Sequence, residues 1–274
     1  DIEERVGQTL PTELRFTNSD GQLVRLGDYF TGGKPAIIAM VYYNCPLVCD
    51  VVMEKVGQSL NQVDLTVGKD FNVLFFSIDS TETPKRALEV KLTHLDAYNR
   101  ELTPEVRAGW ETHTSDAASA RQLADALGFK YRAIENGQFS HPVAIYMITP
   151  DAKVSRYLYG FSYPPRDVKL ALIEASQGKL VRSMGDRLMS FCYIYDPKAG
   201  SYTLAAFRVM QVAGVLTVVG LAGLIGMLFV GERVRRRAAS ALKHGPFKSG
   251  PLSEVVTVRD RVPAAEPAIL GKTQ

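Results

Sequence analysis

The feature that most limits what this chain can become is Val209 to Val230, "VMQVAGVLTVVGLAGLIGMLFV", 22 residues without one charged side chain. At a rise of 1.5 Å per residue, a helix of roughly 20 apolar residues crosses a hydrocarbon core about 30 Å thick. The run is therefore expected to span a membrane rather than to pack inside a soluble core. It separates residues 1–208 from residues 231–274.

Charge assigns the sides. Arg233, Arg235, Arg236 and Arg237 follow the run at once, whereas only Arg208 stands close before it. Because basic residues accumulate on the cytoplasmic side, residues 1–208 are expected outside the cytoplasm, on the periplasmic face of a bacterial inner membrane. The chain begins "DIEERV", with no apolar leader; removal of an export signal is the expectation. Residues 231–274 hold nine Lys or Arg against four Asp or Glu, an excess larger than the chain total of +3, so residues 1–230 are net acidic. The basic balance belongs to the tail, and no nucleic-acid partner is expected. Rich in Pro, Gly and charge, that tail is expected to be disordered.

Two short continuous apolar runs, "AIIAMVYY" (36–43) and "NVLFFSI" (72–78), read as strands buried on both faces of a partly parallel sheet. Between them Val52, Val56 and Leu60 recur at helical spacing, with Pro46 where a first-turn proline is tolerated. Thr83 and Pro84 open a helix along which Leu88, Leu92 and Leu95 share a face. Ser115 or Asp116 caps a shorter helix ended by Gly128. "VAIYMI" and "VSRYLYG" flank a turn as a hairpin, "PPRDVKLALIEASQG" is a helix ending at Gly178, and "LRFTNSDGQLVRL" is an N-terminal hairpin turned at "SDG". The order, hairpin then β-α-β-α-β-β-α, fits an α/β thioredoxin-like sandwich of ordinary domain size.

Cys45 and Cys49, in "YYNCPLVCD", fall where the first strand gives way to its helix. A helix N-terminus favours thiolate and is expected to lower their pKa values. As a staple they would close a very small loop and stabilise little. The spacing C-x-x-x-C, longer than the C-x-x-C of dithiol exchange, lets two soft donors face one ion, and with few further ligands available low-coordinate copper suits them better than four-coordinate zinc. Four histidines could supply a third donor. His244 lies in the tail, His94 is expected on an exposed helix face, and His113 is expected in a loop without a partner. His141 precedes a strand that runs antiparallel to the first two, so it can reach the sheet edge that carries the cysteines, the edge where ligand sites of α/β sheets collect.

Taken in order, "YYNCPLVCD", "FFSIDSTETP" and "FSHPVAIYMITPDAKVSRYLYG" resemble the Sco/SenC family over residues 8–178. The resemblance implies a thioredoxin-like fold, copper held by Cys45, Cys49 and His141, and a role in assembling the dinuclear copper site of cytochrome c oxidase. It departs from the family pattern at Asp50, where proline is usual, at Ser140 and Pro142 flanking His141, and in the acidic loop, where Asp79 is kept and Glu82 stands in for an aspartate. The family's common anchor is amino-terminal, whereas the apolar run here follows the domain.

These implications give residues 1–180 as the thioredoxin-like domain, 181–208 as a juxtamembrane segment, 209–230 as the span and 231–274 as the tail. The expected function is that of a membrane-anchored copper metallochaperone whose partner is the copper-bearing oxidase subunit or another copper chaperone. One rival is a thiol:disulfide oxidoreductase using Cys45 and Cys49 as a redox pair. Another is a structural subunit of a respiratory complex, making helix contacts through Gly220, Gly223 and Gly226. Cys192 is expected as a small buried apolar residue, or else as an accessory copper ligand with Met184 or Met189. Trp110 is expected in the core.

Overall fold

The two continuous apolar runs form neighbouring parallel strands, β3 (Ala36–Val41) and β4 (Asn72–Ser77), in which every residue is buried. In the computed structural model, which describes residues 1–45, 48–134, 138–177, 184–196 and 201–243, they are the centre of a seven-stranded sheet. The predicted N-terminal hairpin is present as β1 (Arg15–Asn18) and β2 (Leu23–Arg25). Helix α1 (Val48–Leu60) joins β3 to β4 and buries Val52, Val56 and Leu60, as their spacing requires. Pro46 lies outside the described residues.

Helix α2 (Pro84–Asp96) starts as read, with the Thr83 hydroxyl accepting from the Arg86 N–H and Pro84 at the first helical position. Its buried face is different. Ala87, Val90, Lys91, His94 and Leu95 point inward, Leu88 is half-buried and Leu92 is exposed, so of the leucine stripe only Leu95 lies on the buried face. The reason is the element that follows. After α3 (Pro104–Gly109) comes β5 (Trp110–Thr114), a strand absent from the sequence reading because "WETHT" has no apolar pattern. All five of its residues are buried, and Lys91 pairs with Glu111 at 2.8 Å beneath α2. Trp110 is in the core as expected.

Helix α4 (Ala117–Ala126) is capped by Asp116, whose carboxylate accepts from the Ala118 and Ser119 N–H groups, and Gly128 follows it at φ +66°. The short ladder of β6 (Arg132–Ala133) and β7 (Phe139–Ser140) then leads to β8 (Ala144–Ile148), which pairs antiparallel with β3 and with β9 (Val154–Tyr159). The sheet order is β2-β1-β5-β4-β3-β8-β9, with α5 (Pro165–Ala175) packed against β8 and β9 beside α1. Gly178, the expected end of α5, lies outside the described residues. The fold is thioredoxin-like, as expected.

The expected connecting segment contains structure of its own: α6 (Met184–Cys192), β10 (Tyr193–Asp196) and β11 (Ser201–Leu204), the last two forming an antiparallel hairpin. Helix α7 (Ala206–Lys243) follows and includes one stretch, Met210–Arg237, long and apolar enough to cross a membrane. The helix continues through 231–243, residues expected in a disordered tail; the tail after Lys243 lies outside the described residues. Two compact units are distinguished, Asp1–Val212 and Ala213–Gln274.

Candidate metal centre

Topology brings the two parts of the site together. In the β3–β8 register Ala36 faces Ile148 and Ile38 faces Tyr146, so the beginning of β8 lies beside the end of β3. The cysteines follow that end and His141 precedes that beginning. Cys49 Sγ stands 3.9 Å from His141 Nε2, across 92 residues of chain. Cys49 is in the first turn of α1, fully buried, and its sulfur accepts the Tyr42 N–H at 3.4 Å. Cys45 is also buried, its N–H donates to the Tyr42 carbonyl at 3.3 Å, and its sulfur interacts with Cys49 and with the Tyr42 hydroxyl. All three cysteines are thiols. Among the described residues, no three His, Cys, Asp or Glu side chains are already clustered tightly enough to hold an ion.

His141 is oriented for coordination. Its Nδ1 is 2.8 Å from the Pro142 carbonyl, and a carbonyl can only accept, so Nδ1 carries the proton and Nε2 turns its lone pair toward Cys49. Ligating histidines characteristically donate their other N–H in this way. The ring is held edge-on to Tyr42 at 5.8 Å and against Phe129 at 5.8 Å, and Phe139 of β7 packs on Tyr42 at 5.4 Å. The three rings come from distant parts of the chain, Tyr42 just after β3, Phe129 after α4 and Phe139 in β7, and no local pattern links them.

Burial sets the electrostatics. It pushes the Cys49 thiol well up, with Cys45 and Glu82 adding to the rise and the Tyr42 N–H opposing it. The expected lowering by the helix terminus is therefore overcome: desolvation of a buried thiolate outweighs the dipole. Tyr42 is likewise raised to about 12 by burial and by Cys45.

The loop carrying Cys45 is tied from below. The Asn44 N–H donates to Glu82 Oε1 at 2.7 Å, while Glu82 Oε2 accepts from the Ser77 hydroxyl at 2.6 Å. Arg86 donates to the Tyr43 carbonyl at 2.8 Å. The Tyr43 hydroxyl donates to the His113 carbonyl at 2.8 Å and accepts the His113 N–H at 2.9 Å. Of the two acidic-loop residues, Glu82 reaches the cysteines' loop, whereas Asp79 caps its own turn by accepting from the Thr81 N–H and hydroxyl at 2.9 and 2.7 Å.

The other histidines are placed differently from expectation. His94 is not exposed; it is buried on α2 with Nε2 3.7 Å from Asp50, and burial lowers its pKa. His113 is not in a loop; it lies within β5, fully buried, with Nδ1 3.0 Å from the Phe75 carbonyl and Nε2 2.7 Å from the Tyr29 hydroxyl. Each is engaged by partners other than Cys45, Cys49 and His141. Cys192 is half-buried rather than buried and ends α6, with its carbonyl accepting the Ala205 N–H at 2.7 Å.

The sequence profile of the SCO1/SenC family matches residues 3–174, well over half of the chain. The chain belongs to the SCO1/SenC family. Among solved structures it is similar to a proposed electron-transfer protein of Aquifex aeolicus VF5, at 22% identity and a TM-score of 0.56 over 66% of this chain and 99% of that one. It is also similar to Arabidopsis thaliana ScoI with copper bound, at 16% identity and a TM-score of 0.49 over 63% of this chain and 99% of that one. A third is BsSco, a member of the Sco family of cytochrome c oxidase assembly proteins in which a disulfide switch has been identified, at 21% identity and a TM-score of 0.47 over 65% and 99%. No curated protein matches. Asp50, next to Cys49, has an exposed carboxylate that stands 3.7 Å from His94 Nε2.

Proposed function

We propose that this SCO1/SenC protein is a membrane-anchored metallochaperone that holds copper on Cys45, Cys49 and His141 and hands it to a copper-bearing subunit of cytochrome c oxidase or to another copper chaperone. Copper is the ion that goes with the family. The observation that carries the assignment of ligands is the 3.9 Å approach of Cys49 Sγ and His141 Nε2. Bonds of roughly 2.3 Å to sulfur and 2.0 Å to imidazole nitrogen let one ion join two such donors without moving the sheet. Cys45, on the neighbouring loop, is the third donor, to be drawn in when the ion binds. A thiolate pair with one imidazole is a soft, low-coordinate set, suited to holding copper(I) and to releasing it through shared ligands.

In this reading Met210–Arg237 is the anchor, its basic C-terminal end in the cytoplasm and the copper site outside it. The oxidoreductase alternative uses the same sulfurs but gives no role to the His141 Nε2 that stands beside Cys49 Sγ.

The test is copper(I) stoichiometry and affinity of the reduced full-length protein in detergent, by competition with a chromophoric chelator. His141→Ala and Cys49→Ser are expected to weaken binding by more than about 100-fold, beyond the 10–100-fold typical of outer partners. Unchanged copper affinity in His141→Ala would sink the ligand assignment. If that variant also keeps full thiol-reductase activity on an acceptor while the wild type transfers no copper, the oxidoreductase reading takes its place.

A further inference from the structure

On leaving β3 the chain carries two adjacent tyrosines, and they go to different neighbours. The Tyr43 hydroxyl is held by the backbone of His113, donating to its carbonyl at 2.8 Å and accepting its N–H at 2.9 Å. Arg86 donates to the Tyr43 carbonyl at 2.8 Å, and Glu82 accepts the next N–H, that of Asn44, at 2.7 Å. The backbone at 43 and 44 is therefore fixed by framework residues. Tyr42, one position earlier and also buried, turns its ring toward the donors instead.

Tyr42 meets all three of them, each through a different group. Its N–H donates to Cys49 Sγ at 3.4 Å, and its hydroxyl interacts with the Cys45 sulfur. Its ring stands edge-on to His141, the centroids 5.8 Å apart and the planes at 85°. The Tyr42 carbonyl accepts the Cys45 N–H at 3.3 Å, so this one residue holds Cys45 at two points, and Phe139 packs on the ring at 5.4 Å. A ring contact is packing. Two hydrogen-bond donors beside two sulfurs also act on the electronics of a metal site. A ligating thiolate carries no proton and can only accept, and the Tyr42 N–H and O–H are donors placed to serve it. Such donation draws charge from the sulfur, which weakens the hold on copper(II) more than on copper(I) and raises the reduction potential.

We propose that Tyr42 is the positioning residue of the copper site and that its hydroxyl, acting through Cys45, biases the site toward copper(I). The inference rests on the copper-binding reading above and adds to it the oxidation state of the cargo. Its two donors are separable. The N–H belongs to the backbone and holds Cys49 whatever side chain stands at position 42, whereas the hydroxyl is the one group lost in Tyr42→Phe. A bias toward copper(I) suits a carrier, because that ion is content with few soft donors and passes between them without a change in its electron count.

The test compares Tyr42→Phe with the wild type, both full length in detergent, by competition for copper(I) with one chromophoric chelator and for copper(II) with another. The ratio of copper(I) to copper(II) affinity is expected to fall by about tenfold, which is about 59 mV for a one-electron couple. The sulfur-to-copper(II) charge-transfer band is expected to move to longer wavelength, as the sulfur regains charge. Tyr98→Phe removes a hydroxyl that accepts the Val67 N–H at 3.3 Å, ahead of β4 and so at the other end of the parallel strands. Its ratio and band are expected to match the wild type. The proposal fails if Tyr42→Phe also matches the wild type in both, a result that leaves the three ligands standing. It fails equally if both affinities drop together with their ratio unchanged, since Tyr42 is then packing alone, or if Tyr98→Phe shifts the ratio as much. A wild-type protein that binds neither ion removes the copper reading itself, and this inference with it.

Discussion

His113 and His141 are two imidazoles packed among aromatic rings of one sheet, and they have opposite surroundings. His113 stacks on Phe76 at 4.3 Å, and both of its ring nitrogens meet oxygen partners from the protein, Nδ1 donating to the Phe75 carbonyl and Nε2 accepting from the Tyr29 hydroxyl. His141 has one nitrogen engaged by a carbonyl and turns the other toward a sulfur. A histidine with both nitrogens satisfied by hard, fixed partners is part of the framework. One with a lone pair directed at a soft donor can accept an ion without breaking anything. The two regions are also linked, because Tyr43, in the cysteine loop, is pinned by its hydroxyl to the backbone of His113.

The comparison breaks most visibly in the framework region. Lys91→Met leaves Glu111 buried without its cation, and the expected cost is about 3–5 kcal/mol in chemical denaturation. A loss under about 1 kcal/mol would mean that the pair is not buried in the working protein.

Next is His113. Burial lowers its pKa from 6.5 to about 4, with Glu111 pulling the other way. The folded state therefore prefers the neutral ring. Its contribution is fully present above pH 6.5 and is lost as pH falls toward 4, by roughly 3 kcal/mol if the unfolded ring titrates normally. His113→Ala is expected to cost about 2–4 kcal/mol at neutral pH, through its cavity and the partners left unsatisfied, and to flatten the acid dependence. An unchanged slope between pH 6.5 and 4 would assign that dependence to other groups.

His141→Ala sharpens the contrast from the other side. Half-buried and held by a single carbonyl, the ring is expected to contribute no more than about 1 kcal/mol to folding, even though copper binding depends on it. A loss comparable to that of His113→Ala would make His141 a framework residue too.

The smallest effect is expected at Glu82→Gln. The amide oxygen still accepts the Asn44 N–H, so stability should change by less than about 1 kcal/mol and copper affinity by less than about tenfold. Isothermal competition with the same chelator measures both this change and its larger counterpart at His141.

Much of the frame was legible beforehand. Strands β3 and β4, the Thr83 and Asp116 caps, the hairpins and the apolar stretch of α7 are local patterns, in which residues a few positions apart settle the conformation. The placement of His141 near the cysteines also followed from strand direction. Strand β5 and the inward face of α2 did not, because reading burial from polarity fails where polar groups are buried against each other. Lys91 and Glu111 are 20 residues apart, and each makes the other's burial tolerable.

By itself, then, the sequence determined the pieces: a thioredoxin-like α/β order, a membrane-length helix, two thiols at a helix start and a histidine ahead of a returning strand. The tertiary structure decided that Cys49 and His141 meet, that Cys49 is buried so that desolvation raises its thiol pKa, that Glu82 and Tyr43 hold the cysteine loop, and that the segment before α7 is folded onto the domain. Those outcomes depend on desolvation and on hydrogen bonds between residues far apart in the chain, and neither is present until the elements pack.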